Sequence, residues 1–175
     1  MHSYWAYILV GDDRTGKTSF QKHLIAYLCE KTYERLDCNL CFDIVHPRMP
    51  RGVATLSAMN RSFSEKIQHY KDVSTFFSEY FEEADVCILS SHAQDPSVRY
   101  IRDMIRELKL KAYNVAVVFF SNSYDESASN ISLLDWDERL WIDNGPIKAE
   151  DEIQEQLAQR AKAFGDLLIS RASYQ

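Results

Sequence analysis

Gly11-Asp12-Asp13-Arg14-Thr15-Gly16-Lys17-Thr18 follows directly on the apolar run Tyr4 to Val10 and leads into a stretch where Phe20, Leu24, Tyr27 and Leu28 recur at helical spacing. Gly11 and Gly16 let the backbone turn tightly. Successive N–H groups then face one anion, and the following helix starts with its positive dipole end on the same point. The pattern G-x-x-x-x-G-K-[ST] between a strand and a helix is a phosphate-binding loop in its required context. Lys17 is expected to reach the β- and γ-phosphates of ATP and the Thr18 hydroxyl to hold Mg²⁺, with Asp13, Arg14, Thr15 and Ser19 completing the cradle.

Outward from the loop, 175 residues with 46% apolar and 13% aromatic content describe one globular domain with a real core. A formal charge of −6 supplies no general attraction to nucleic acid or to an anionic membrane, so a polyanionic partner needs a local basic face. The four cysteines are sparse, and neither a signal-peptide pattern nor an apolar run near membrane-spanning length accompanies them, so a cytoplasmic protein with no membrane partner is expected. Cys38 and Cys41 form a lone C-x-x-C with only His46 nearby as a further ligand, and read as strand or core thiols.

Along the chain, Lys17 to about Cys29 reads as an amphipathic helix and Cys38 to Val45 as a second strand closed by Pro47, while Gly52 to Asn60 is irregular. Asp72 is placed to cap a helix whose Val73, Phe76, Phe77, Tyr80 and Phe81 share a face, and Asp85 to Leu89 follows as a buried strand. Asp95-Pro96 opens a helix with Val98, Ile101, Ile105 and Leu108 inward, and Asn114 to Phe120 is the next strand. Residues 122–137 read as a polar, flexible loop, Leu140 to Ile142 as a last short strand, and Ile153, Leu157, Ala161, Phe164 and Leu168 stripe a final helix. Strands alternating with helices predict an α/β fold: a three-layer P-loop NTPase arrangement, its mostly parallel sheet covered by helices on both faces.

In such a sheet the ligand lies beyond the carboxyl ends of the strands. Asp43, placed there after the second strand, is the expected general base, with capping of a turn or pairing with Arg48 as its structural alternative. Arg48 and Arg51 suit a phosphate on the acceptor, and Asn60 and Arg61 a base or sugar edge; capping and surface charge are the plain alternatives. No acidic residue ends the third strand, where Ser90-Ser91-His92 follows instead, so the metal depends on Thr18, water, and Ser90 or Asp43, with Ser91 and His92 available to substrate. Arg99, Arg102 and Arg106 share one helical face, which serves either as a catalytic lid or as a solvated face paired with Asp103 and Glu107.

With these residues in this order the chain resembles the P-loop kinases of the nucleoside-monophosphate type. The resemblance implies one kinase-like domain over 1–175, an acceptor-binding segment at 46–72, ATP and Mg²⁺ as cofactors, and a lid bearing Arg99 and Arg102. Leu140-Trp141-Ile142-Asp143-Asn144-Gly145 is similar to the closing segment of phage deoxynucleotide kinases and dephospho-coenzyme A kinases, which implies that Asn144 borders the adenine. Asn60-Arg61-Ser62 and Ser91-His92 depart from the common monophosphate-kinase patterns. With the arginines, they direct the expectation toward the small phage kinases that phosphorylate hydroxymethylated pyrimidines in DNA, in a bacterial or phage-infected cell, a free nucleoside monophosphate being the alternative acceptor. A GTP-binding switch is a further alternative, on the partial guanine motif Asn122-Ser123-Tyr124-Asp125, as is a P-loop binding protein without transfer chemistry. Oligomeric state is left open.

Overall fold

The computed structural model describes residues 4–145 and 149–174. Its centre is a six-stranded sheet in the order β2-β3-β4-β1-β5-β6. β1 (Trp5–Val10), β3 (Thr55–Ala58), β4 (Val86–Ser91), β5 (Asn114–Phe120) and β6 (Glu138–Ile142) run parallel, and β2 (Leu40–Asp43) is antiparallel to β3 at the edge. Helices α1 (Lys17–Cys29), α2 (Ile67–Tyr70), α3 (Val73–Glu79), α4 (Asp95–Leu110), α5 (Glu126–Ser132) and α6 (Glu150–Ser173) connect and cover it.

The two-residue side-chain period of a strand divides the core. Ala6, Ile8 and Val10 of β1, with Val115, Val117 and Phe119 of β5, face a cluster filled by Phe76 and Phe77 of α3, Ile101, Met104, Ile105 and Leu108 of α4, and Ile131 of α5. Tyr7, Leu9, Ala116, Val118 and Phe120 face the other way, onto Phe20, Leu24 and Leu28 of α1 and Leu157, Phe164 and Leu168 of α6. Burial on both faces explains why β1 and β5 read as continuous apolar runs.

Several expected elements recur: α1 over Lys17–Cys29, β5 over Asn114–Phe120, and α3 with the Asp72 carboxylate accepting the Thr75 N–H at 2.7 Å. Three expectations fail. The stretch Gly52 to Asn60 holds β3, whose first residues are gathered by Asp85: its Oδ2 accepts the N–H of Ala54 at 2.7 Å and of Thr55 at 2.9 Å. The predicted second strand is instead the outer arm of a hairpin. Its register pairs Leu40 with Ala58 and Asp43 with Thr55, so β2 runs down the sheet, not up.

The third failure is the loop expected over 122–137. Asp125 caps α5 by accepting the Ala128 N–H at 2.9 Å, and Ala128, Ile131 and Trp136 are buried in the core. The Trp136 Nε1–H donates to the Ile131 carbonyl at 2.8 Å, which closes the segment onto itself. Polar composition misled here because one buried face is enough to hold a helix of two turns.

Candidate phosphate-binding site at the Gly11 loop

The loop emerges from β1 at the carboxyl end of the sheet, with β4 on one side and β5 on the other. It is pinned from three neighbouring strand ends. The Gly11 N–H donates to the carbonyl of Ser91, the last residue of β4, at 3.3 Å, and the Asp12 N–H to Ser123 Oγ after β5 at 3.2 Å. Asn144, following β6, donates from Nδ2 to the Thr15 carbonyl at 2.9 Å, while its Oδ1 accepts the Asn122 N–H at 3.2 Å. Within the loop, Thr15 Oγ1 donates to the Asp12 carbonyl at 2.8 Å.

Gly16 has φ 98°, so its backbone favours glycine, and a Cβ there would also press on the Leu157 side chain of α6 at 2.9 Å. A side chain at Gly11 would strike Thr15 Oγ1 at 2.7 Å. The first N–H groups of α1 have no partner inside the helix, and the residues that carry them line a cavity of about 550 Å³. Asp13, Arg14, Thr15, Gly16, Lys17, Thr18 and Ser19 form one wall of that cavity, Asn60, Arg61 and Glu65 another, and Glu150, Ile153, Gln154 and Leu157 of α6 a third.

Lys17 is 8% exposed. Its ammonium donates to the Gly11 carbonyl and, at 2.8 Å, to that of Asp12. Burial brings its pKa down to about 8, and the nearby Asp13, Glu65 and Asp12 carboxylates hold it from falling further. Glu65 belongs to the 3₁₀ turn Phe63–Lys66. Its Oε1 accepts the Ser62 N–H at 3.1 Å and its Oε2 pairs with Arg61 at 3.1 Å. Burial is the largest single influence on this carboxyl and pushes its pKa up, but the Ser62 N–H, Arg61 and His92 together bring it below the usual range.

The expected loop residues Gly11, Asp13, Arg14, Thr15, Gly16, Lys17, Thr18 and Ser19 thus lie together. Arg61 borders the same cavity. Asn60 does too, but its carboxamide is committed: Nδ2 donates to the Leu36 carbonyl and Oδ1 accepts from Cys38 Sγ at 3.0 Å. Ser91 is buried with its hydroxyl on the His92 carbonyl at 3.3 Å, and Ser90 accepts from Gln21 Nε2 at 2.8 Å. Asn144 braces the loop itself.

Asp43 is elsewhere. Because β2 is antiparallel, Asp43 stands opposite Thr55 at the amino-terminal end of the sheet, level with the start of β1. The length of β1 separates it from Gly11, roughly 20 Å at the usual rise per residue. It cannot act as base at a phosphate bound there, nor hold the metal. Asp43→Asn is expected to leave nucleotide affinity within about twofold of wild type, as for a surface substitution away from any special contact; calorimetric titration checks this.

Arg48 and Arg51 lie in the hairpin connection at that same remote end. Arg48 pairs with Asp166 of α6 and donates to Tyr27 Oη at 2.9 Å. Arg99, Arg102 and Arg106 are exposed on α4, on the opposite face of the sheet from α6. α4 is packed along its length and does not border the cavity, so these arginines make no lid; Arg106 is 3.7 Å from Asp103 and 3.4 Å from Glu107.

Glu65 and Ser123 were missed in the sequence. Ser62-x-x-Glu65 is a readable helix-start signature, so Glu65 carried a local signal. Ser123 carried none, because its contact spans 111 residues.

No family model and no curated protein matches the chain. Among solved structures it is similar to the solution NMR structure of a de novo designed protein, at 12% identity and a TM-score of 0.43, with 91% of this chain and 89% of that chain covered. A likeness of that size carries no argument about fold or function. No helix among the described residues is long and apolar enough to cross a membrane.

Proposed function

We propose that this chain binds ATP with Mg²⁺ at Gly11–Thr18 and transfers the γ-phosphoryl group to a small nucleotide-type acceptor held against Arg61 and Glu65. In this reading the sheet and its two helical coats are a P-loop arrangement with the loop strand at the centre. What supports this is the cavity of about 550 Å³, which the loop residues Asp13 to Ser19 and the wall containing Arg61 line together. Lys17 exchanges its two loop carbonyls for phosphate oxygens, Thr18 offers the metal its exposed hydroxyl, and the α1 N–H groups receive the β-phosphate.

The acceptor is small because the basic residues that a polymer would need are dispersed. Arg48 lies on the α6 side and Arg99, Arg102 and Arg106 lie on the α4 side, while among the described residues Arg61 borders the cavity across from Arg14 and Lys17 of the loop. Labelled ATP supplied with a panel of nucleoside monophosphates, plain DNA and hydroxymethylpyrimidine DNA tests the assignment. Transfer to a monophosphate with a log–log salt slope of about −1 or flatter is expected; label on DNA alone with a slope steeper than about −3 overturns the small acceptor.

One observation favours a second reading, of nucleotide binding without transfer. The end of β4 carries no acid, and Ser90 is already taken by Gln21. ATP binding with no label on any acceptor would select it. The switch reading is disfavoured, since the Asp125 carboxylate caps α5.

The depressed pKa of Lys17 sets a pH signature. Below about 8 the free ammonium is already charged; above it the free chain loses a proton that a bound polyphosphate requires back. ATP affinity is expected to be flat at neutral pH and to fall up to about tenfold per pH unit above pH 8. An affinity unchanged up to pH 10 would contradict this placement of Lys17.

A further inference from the structure

Asp13, Glu65 and His92 come from three separate places: the loop after β1, the 3₁₀ turn Phe63–Lys66, and the end of β4. His92 Nε2 lies 3.2 Å from Asp13 Oδ1 and 3.2 Å from Glu65 Oε1, and one ligand atom from each residue falls within 4.8 Å of the others. His92 is 8% exposed, its Nε2 is shielded from solvent, and neither approach has hydrogen-bond geometry. A buried imidazole nitrogen aimed into a pair of carboxylates without bonding either is an unsatisfied ligand.

We infer that Asp13, Glu65 and His92 form a divalent transition-metal site at the rim of the loop, which fills in the absence of nucleotide. The two His92 spacings of 3.2 Å suit it, since donors about 2.1 Å from a shared ion stand roughly 3.0–3.4 Å apart in octahedral or tetrahedral geometry. One imidazole with two carboxylates favours Mn²⁺, Co²⁺ or Zn²⁺ over Mg²⁺. Three protein ligands leave positions open, and these face the cavity through Asp13, whose side chain is 82% exposed. Glu65 is pre-positioned by the Ser62 N–H and Arg61.

The charge around the loop supplies a reason for the ion. Asp12, Asp13 and Glu65 all act on Lys17, so carboxylates outnumber the one buried ammonium where a polyphosphate would enter. A bound divalent cation offsets that excess. It also ties the loop to the Arg61–Glu65 wall, without using Thr18.

Mn²⁺ titration of the full chain without nucleotide, followed by electron paramagnetic resonance, tests the site. One bound Mn²⁺ per chain is expected, with broadening of the His92 ring signals, and His92→Gln and Glu65→Gln should each weaken binding at least about tenfold. Should His92→Gln fail to fold by circular dichroism, Glu65→Gln and Asp13→Asn, both at exposed residues, carry the test. No binding at millimolar Mn²⁺, or binding indifferent to these variants, would overturn the site. ATP added to the same sample separates this site from the proposed function: a chain that binds ATP but no Mn²⁺ alone refutes only the metal site, and the reverse refutes only the nucleotide reading.

Discussion

Lys17→Met is expected to lower ATP-dependent phosphoryl transfer by about 10²–10³-fold, the loss typical of a single preorganised group that stabilises transition-state charge. Met keeps most of the volume of the stem and discards the ammonium. The melting temperature is expected not to fall. In the free chain burial holds the Lys17 pKa at about 8, below its ordinary value, so the folded state disfavours the charged form at neutral pH. That penalty is fully present below about 8 and fades as pH rises toward the unfolded value, and removing the charge removes it. The two readouts therefore move independently. Transfer retained within a few-fold would show that Lys17 does not meet the transferring phosphate, while transfer lost together with the fold would show a structural role for the ammonium.

Trp136→Ala is expected to destabilise the chain by about 3–5 kcal/mol, the range for truncating a buried aromatic. Trp136 is 6% exposed, its indole N–H is satisfied by the Ile131 carbonyl, and it packs in the cluster that α4 and β5 share. In a domain of this size each kcal/mol shifts the melting temperature by about 2–4 °C, so the loss is of the order of 10 °C. Proteolysis should follow the same pattern, with 122–137 resistant in the wild type and cut early in the variant. Rapid cleavage there in the wild type, with no change in melting temperature on substitution, would restore the flexible loop that the composition suggests.

Asp43 and Asp125 show why part of the site was legible and part was not. Asp43 ends a run with the right composition for a strand, but side chains alternate with the same period whether a strand runs up or down the sheet. Direction follows from pairing, and the pairing of Asp43 with Thr55 was invisible while β3 read as irregular. Thr55-Leu56-Ser57-Ala58 has little β-branched or aromatic content; it is a strand because β2, β4 and the Asp85 carboxylate satisfy its backbone. Asp125 opens a helix whose polar residues face outward, and two buried residues within it, Ala128 and Ile131, were too few to outweigh the rest.

The Gly11–Thr18 turn, α1 and the buried strands β1 and β5 were determined by the sequence alone, since each depends on contiguous residues: glycines where the backbone must turn, helical spacing, and apolar runs long enough for a two-sided strand. Tertiary structure decided what faces the loop. It carried Asp43, Arg48 and Arg51 to the far end of the sheet, set Arg99, Arg102 and Arg106 on an outer helical face, and brought Arg61, Glu65 and His92 to the cavity rim. Those positions depend on which strand ends meet at the carboxyl edge, and that is set by long-range pairing and the packing of helices onto the two faces, not by spacing along the chain.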